Sequence, residues 1–323
     1  MKNRTILMYT LLTIAILAVL IWALMTGSIK VSLAELVTDF FKASNEKVAI
    51  VKDLRLPRII LALVAGAALS VCGLLLQAIM RNPLADAGVI GISAGAHLMQ
   101  VCVVVLVPQL FYWTTMVSFV GGALACFLVF LFSARAKLNP LSLIIIGVAI
   151  NAVFTGLGDF VQGLNPQLTS QATVSFGMKK WSDVESLVLY GGLGLIAALF
   201  LTRSCNLLAL KDEVLIGLGV SLKRKRLLIA TVAVLLAASA TAIVGVIAFI
   251  GLLVPHIARS LLKTNDHRKL LPFVMILGAF LLLVADTLGR SLVPNVEIAA
   301  GIMMMVIGGP FLIALMWRQQ IIR

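Results

Sequence analysis

The chain has 323 residues, 61% of them hydrophobic and only 12% charged, with 26 Lys and Arg against 13 Asp and Glu and a formal net charge of +13. No polar stretch is long enough to fold as a water-soluble domain, so the composition excludes a soluble enzyme or binding module and indicates an all-α polytopic membrane protein, one domain over residues 1–323. The basic residues fall between apolar runs, where they report topology, and no nucleic-acid partner is expected.

A spanning helix needs about 20 apolar residues, and charge-poor runs occupy roughly residues 5–25, 56–80, 88–107, 111–132, 141–158, 187–201, 227–262, 270–288 and 298–317. Lys2 and Arg4 precede the first run. That run is too long for the apolar region of a signal peptide and lacks a small-x-small cleavage site, so it reads as an uncleaved first helix that starts in the cytoplasm. Between the first two runs, Ser32 to Phe41 carries Leu33, Leu36, Val37, Phe40 and Phe41, the pattern of a short amphipathic helix on the outer surface. In the second run Ala62, Gly66 and Ser70 follow at four-residue spacing, with Gly73 nearby. Such a stripe of small residues lets a helix pack closely at the centre of a bundle. Asn82 and Pro83 then stop the helix, leaving a turn that is either a plain terminator or free to present Leu84.

The run at 227–262 is too long for one pass, and Gly245, Gly251 and Pro255 argue that it is broken. Two passes place 17 of the 26 Lys and Arg residues on the inner side, whereas one pass places 12 there. The positive-inside bias therefore favours two passes and about ten transmembrane helices, with both termini cytoplasmic. The second piece, about residues 248–262, would be only ~22 Å long at 1.5 Å per residue, a short helix that its neighbours must shield from lipid.

The polar interruption at 206–226, NLLALKDEVLIGLGVSLKRKR, falls on the inner side in this topology. Leu207, Leu208, Leu210, Val214, Leu215 and Leu218 recur at helical spacing, Asp212 and Glu213 occupy the other side, and Gly217 and Gly219 break the helix. The pattern suits a docking surface or a solvated amphipathic loop at headgroup level.

No GxxxxGKS phosphate loop, GxSxG or HExxH is present, so ATP hydrolysis or another catalytic activity is not expected of this chain. His97, His256 and His267 share no ligand spacing, and Cys72, Cys102, Cys126 and Cys205 are scattered through apolar segments as small hydrophobes without a CxxC pair. Neither a metal site nor a cofactor is expected. Ion-coupled transporters carry ionisable residues in mid-membrane, but Asp159, Asp286 and Glu297 fall near the outer ends of their helices. A bundle with neither relay nor ATPase motif needs an energy source on another chain.

Several stretches, RLPR at Arg55 to Arg58, GLLLQAIMRNPLADAGVIGISAGA at Gly73 to Ala96, GVIAFIGLLVPHIAR at Gly245 to Arg259, NDHR at Asn265 to Arg268, VADTLGR at Val284 to Arg290 and GGPFLIALM at Gly308 to Met316, resemble the FecCD-type permeases. These are the membrane subunits of ABC importers for ferric siderophores, haem and cobalamin. The resemblance implies the type II ABC importer permease fold, in a homodimer or a heterodimer with a paralogue. It also implies two cytoplasmic ABC ATPase subunits, an extracytoplasmic substrate-binding protein and a place in the cytoplasmic membrane. It assigns ATPase coupling to Leu208, Leu210, Asp212, Glu213, Leu215, Gly217, Leu218 and Gly219, and the cytoplasmic gate to Asn82, Pro83 and Leu84. It assigns binding-protein docking to Arg55, Arg58 and Arg290, three basic residues on the outer side that could instead snorkel or pair with Asp53, Asp286 or Glu297. One departure is Ala87, where the family commonly has Pro. The implied cargo is a ferric siderophore or haem, with cobalamin as the alternative and a stand-alone secondary transporter as the rival from another class.

Overall fold

The computed structural model describes residues 2–27, 31, 32, 35, 38, 46–88, 90–134, 140–165, 179–293 and 297–321. Side chains at 2, 3, 46, 47, 140, 312 and 315–321 lie outside the description, as do Leu33, Leu36, Val37, Phe40 and Phe41 of the expected surface helix. The described elements are α1 (Lys2–Met25), α2 (Glu46–Ile50) continuing through a π-helical turn at Val51–Arg55, α3 (Leu56–Met80), α4 (Ile92–Leu106), a 3-10 turn at Pro108–Trp113, α5 (Thr114–Ser133), α6 (Pro140–Leu164), α7 (Trp181–Leu207), α8 (Asp212–Gly217), α9 (Leu222–Val244), α10 (Ile250–Leu262), α11 (His267–Ser291) and α12 (Ala300–Ile321). Seven of these helices are long and apolar enough to cross a membrane, and α4, α10 and the Ala300–Phe311 part of α12 add three shorter apolar ones. That makes the ten expected spanning or part-spanning helices among the described residues.

Helix α3 is the axis of the bundle, packed by α7, α9, α10 and α11. Its small residues explain why. A Cβ added at Gly66 would lie 2.3 Å from the Gly278 carbonyl oxygen, and one at Gly73 would lie 1.9 Å from that of Gly251. Backbones therefore touch where lipid gives no hydrophobic driving force, and close van der Waals packing does the work. The outer helices α5, α6 and α7 keep large apolar side chains exposed, among them Phe127, Phe132, Phe160 and Phe200. Their surfaces suit lipid or a partner helix. All four cysteines are free, with Cys72, Cys126 and Cys205 buried.

The bundle has two distinguishable ends. At the lower end the Arg4 Nε donates to the Leu261 carbonyl at 3.0 Å and the Tyr9 hydroxyl to that of Lys269 at 3.4 Å. At the upper end Arg55 Nη1 donates to the Leu24 carbonyl at 2.5 Å and Arg290 Nη1 to that of Thr26 at 3.4 Å. The overlong run does break: α9 rises from the lower end, the chain leaves helical geometry between Gly245 (φ 83°) and Phe249 (φ 68°), and α10 returns to the lower end. Most of α10 is buried, which supplies the shielding that so short a helix requires.

This geometry sets a labelling experiment. In a background without native cysteines, a cysteine at Asn265 is expected to resist a membrane-impermeant thiol reagent applied to intact cells, whereas one at Tyr112, 95% exposed near the opposite end, is expected to react. Fast external labelling at Asn265 would reverse the orientation.

Candidate functional site

At the lower end the chain leaves α7 through a turn at Leu208–Leu210, forms the six-residue α8, turns at Gly219 (φ 73°) and enters α9. The short helix is not uniformly outward-facing. Leu208 and Leu215 are buried, at 1% and 0% exposure, and hold α8 against the bundle. Leu210, Val214, Ile216 and Leu218 are exposed, as are Glu213, Gly217 and Gly219. The apolar surface available to a partner is thus narrower at Leu208 and Leu215 than the sequence suggested, and wider by Ile216. Helical spacing could not find Ile216, because it lies about 160° around the helix from Val214 and Leu218 on average and reads as a separate face. A helix of under two turns can expose both flanks.

Asp212 is half-buried, and its carboxylate is already engaged within the chain. Its carboxylate takes Arg81 Nη2 at 2.6 Å and Arg226 Nη2 at 3.1 Å. Arg81 reaches further, donating through Nε to the Leu208 carbonyl at 2.7 Å and through Nη2 to the Leu210 carbonyl. The start of the segment is pinned as well. Asn206 Nδ2 donates to Asp266 Oδ1 at 2.6 Å, and the His267 backbone N–H donates to Asn206 Oδ1 at 2.8 Å. The Asn206 donor and the Arg268 backbone N–H hold the Asp266 carboxyl below its usual range.

Asn82, Pro83 and Leu84 follow directly on Arg81. The Asn82 side-chain oxygen accepts from the Leu84 N–H at 2.9 Å, closing an Asx turn, and the Leu84 side chain is 47% exposed at the lower end. Beyond it the chain does not stay at the surface. Ala85, Asp86, Ala87 and Ile90 are buried, and the Asp86 carboxylate lies so close to Gly251 that a Cβ there would be 2.2 Å from Oδ1. Gly251 sits 11 residues above the lower end of α10, about 16 Å at 1.5 Å per residue. Residues 85–88 therefore re-enter the bundle, and α4 starts partway through it, with Gly91 against the middle of α6 at Asn151. This places a carboxylate at depth, where hydropathy alone showed none. The Ala87 N–H donates to Asp86 Oδ1 at 2.8 Å. Proline at position 87 could not make that bond. Nearby, Gln77 Nε2 donates to the Gly251 carbonyl at 3.2 Å and Arg259 Nη1 donates to Gln77 Oε1 at 2.7 Å.

At the upper end Arg55, Arg58 and Arg290 are brought together as the sequence implied, but they face inward. Arg58 forks onto Asp286, with Nε and Nη2 at 2.9 to 3.0 Å, while Nη1 reaches Glu297 at 2.7 Å. Arg290 stands 3.4 Å from the same aspartate. Arg55 and Arg58 are each 6% exposed and Asp286 is fully buried. Arg58 pairs with Asp286 and Glu297 and Arg290 lies against Asp286, whereas Arg55 donates to the Leu24 carbonyl.

Three comparisons bear on this arrangement. The model of the FecCD transport family matches residues 14–318. The chain is 40% identical over 319 residues to the probable heme-iron transport system permease protein IsdF of Staphylococcus aureus strain MSSA476, covering 99% of this chain and 98% of that one, and the strain Newman protein matches to the same extent. Among solved structures, one described as a metal-chelate type ABC transporter in an inward-facing conformation superposes with a TM-score of 0.80 at 28% identity, covering 96% of this chain and 99% of that one. The fold is also shared with PsaBC from Streptococcus pneumoniae, at a TM-score of 0.58 and 15% identity over 88% and 95% of the two chains.

Proposed function

The chain belongs to the FecCD transport family, and from that premise we propose that it is the permease subunit of an ATP-driven importer carrying an iron chelate, haem first and ferric siderophores next, across the cytoplasmic membrane. The observation that carries this reading is the short α8, which exposes Leu210, Val214, Ile216 and Leu218 while being tied to the end of α3 where the Asn82–Leu84 turn begins. An apolar ridge on a pinned helix needs a partner to cover it. Two ABC ATPase subunits fit, since the chain carries no phosphate loop, and the lower end is then cytoplasmic. Leu84, at the mouth of the re-entrant segment, is placed to close the inner end of the path.

A second permease copy or a paralogue completes the pathway along the exposed outer helices, and an external binding protein delivers the cargo at the upper rim. Arg55, Arg58 and Arg290 shape that rim from beneath. Because Asp286, Glu297 and main-chain carbonyls hold them, the double reversal Arg58→Glu with Arg290→Glu would damage the bundle before it tested docking. A second reading, a secondary transporter acting alone, draws on one observation, the buried Asp86, since ionisable residues at membrane depth mark relays. The cargo is tested by reconstituting the permease with its ATPase and binding protein and following uptake of haem, a ferric siderophore and cobalamin in parallel. Haem or siderophore accumulation is expected. Cobalamin accumulation alone would reassign the substrate.

A further inference from the structure

Arg81 occupies a position where arginine is out of place. It caps the C-terminus of α3 with φ 46° and ψ 34°, the left-handed conformation that helix ends fill with glycine or asparagine because a Cβ is strained there. A non-glycine residue persists in such a conformation when its surroundings over-determine it. Here they do: the guanidinium spans the Leu208 carbonyl, the Leu210 carbonyl and the Asp212 carboxylate, three acceptors on the turn before α8 and on its first residue. The next residue in the chain is Asn82.

We propose that Arg81 is the tie that passes movement of α8 to the Asn82–Leu84 turn and the re-entrant segment behind it, making it a positioning residue for transport. The inference rests on the reading of the chain as an ABC importer permease. Asp212 separates two duties. Arg226, 3% exposed on α9, also holds the Asp212 carboxylate, so α8 stays anchored to α9 without Arg81. Arg81 alone, of these two, joins α8 to the end of α3. A planar fork suits the task, because rigid donors at fixed angles transmit displacement that a flexible ammonium would absorb.

The test uses the complete complex in proteoliposomes, measuring ATP hydrolysis and haem uptake in the same preparation. Arg81→Gln removes the charge and the fork while keeping length and polarity. Its complex is expected to be recovered and to hydrolyse ATP within about twofold of the unchanged complex, while uptake per ATP falls at least tenfold. Arg81→Lys, which keeps the charge near Asp212 but cannot span both carbonyls, is expected to fall between them, and it is read in the same way if Arg81→Gln does not assemble. Hydrolysis and uptake falling in proportion, or uptake per ATP unchanged in both variants, would overturn the tie. If the unchanged complex shows no ATP-driven uptake, the importer reading itself fails, which that control reports separately.

Discussion

Gly217→Trp is expected to leave the permease folded and inserted at normal levels and to reduce ATP-driven uptake to background. The reason lies in what surrounds the site. A Cβ at Gly217 meets nothing within 4 Å, so an indole there projects away from the chain's own packing, beside exposed Leu218 at 65% and Val214 at 49%. Bulk added to a ridge that must seat in a partner prevents close approach, and packed interfaces tolerate such overfilling poorly. Leu215→Asp is a weaker test of the same idea. That leucine is fully buried, so a carboxylate there would suffer desolvation within the permease itself and confound seating with folding. Co-purification of the ATPase subunit with Gly217→Trp, compared with the unchanged permease, separates the cases. Full retention of the ATPase together with normal uptake would remove α8 from the interface.

The second large effect is expected at the opposite end, where Asp286→Ala should destabilise the bundle by about 3–5 kcal/mol, the range for breaking a buried ion pair and stranding its partner. Asp286 has no solvent exposure and stands between Arg58 at 2.9 Å and Arg290 at 3.4 Å, with both guanidinium groups also nearly enclosed. Removing the shared carboxylate leaves two positive groups in mutual repulsion, with only Glu297 nearby, itself largely exposed and in direct contact with Arg58. Glu297→Ala should cost far less, since that carboxylate is 59% exposed and water screens its pairing. Thermal denaturation of the detergent-extracted proteins compares the two. Equal losses would mean that the cluster at the upper end is solvated rather than enclosed.

Much of this arrangement can be read from residue pattern because membrane packing writes its demands into composition. The Ala62, Gly66 and Ser70 stripe, with Gly73 beyond it, marks α3 as central since only small residues admit backbone contact; Gly278 faces Gly66 and Ser70, and Gly251 faces Gly73. The break in the overlong run follows from where the basic residues fall, which topology constrains directly. What the pattern hides is depth and partnership. Residues 88–107 have the hydropathy of a full span, yet α4 begins at Ile92 partway into the bundle, because the space that Gly251 leaves open admits Asp86 and draws the preceding segment inward. Nothing local to Asp86 signals that contact. Likewise Arg58 and Asp286 are 228 positions apart, so the sequence could name the pair only as one possibility beside docking. On α8, a helix of six residues is too short for periodicity to separate the anchoring Leu215 from the outward Ile216.

The measurement that bears most directly on an ATP-driven permease is uptake into proteoliposomes under two energy sources. The permease, its ATPase and its binding protein are reconstituted together, and the permease is also reconstituted alone. Haem accumulation is expected only in the complete system with ATP and magnesium present, and the permease alone should take up none under an imposed pH gradient in either direction. Uptake by the permease alone, driven by that gradient and lost in Asp86→Asn, would instead make this chain a proton-coupled carrier and contradict the ATP-driven importer.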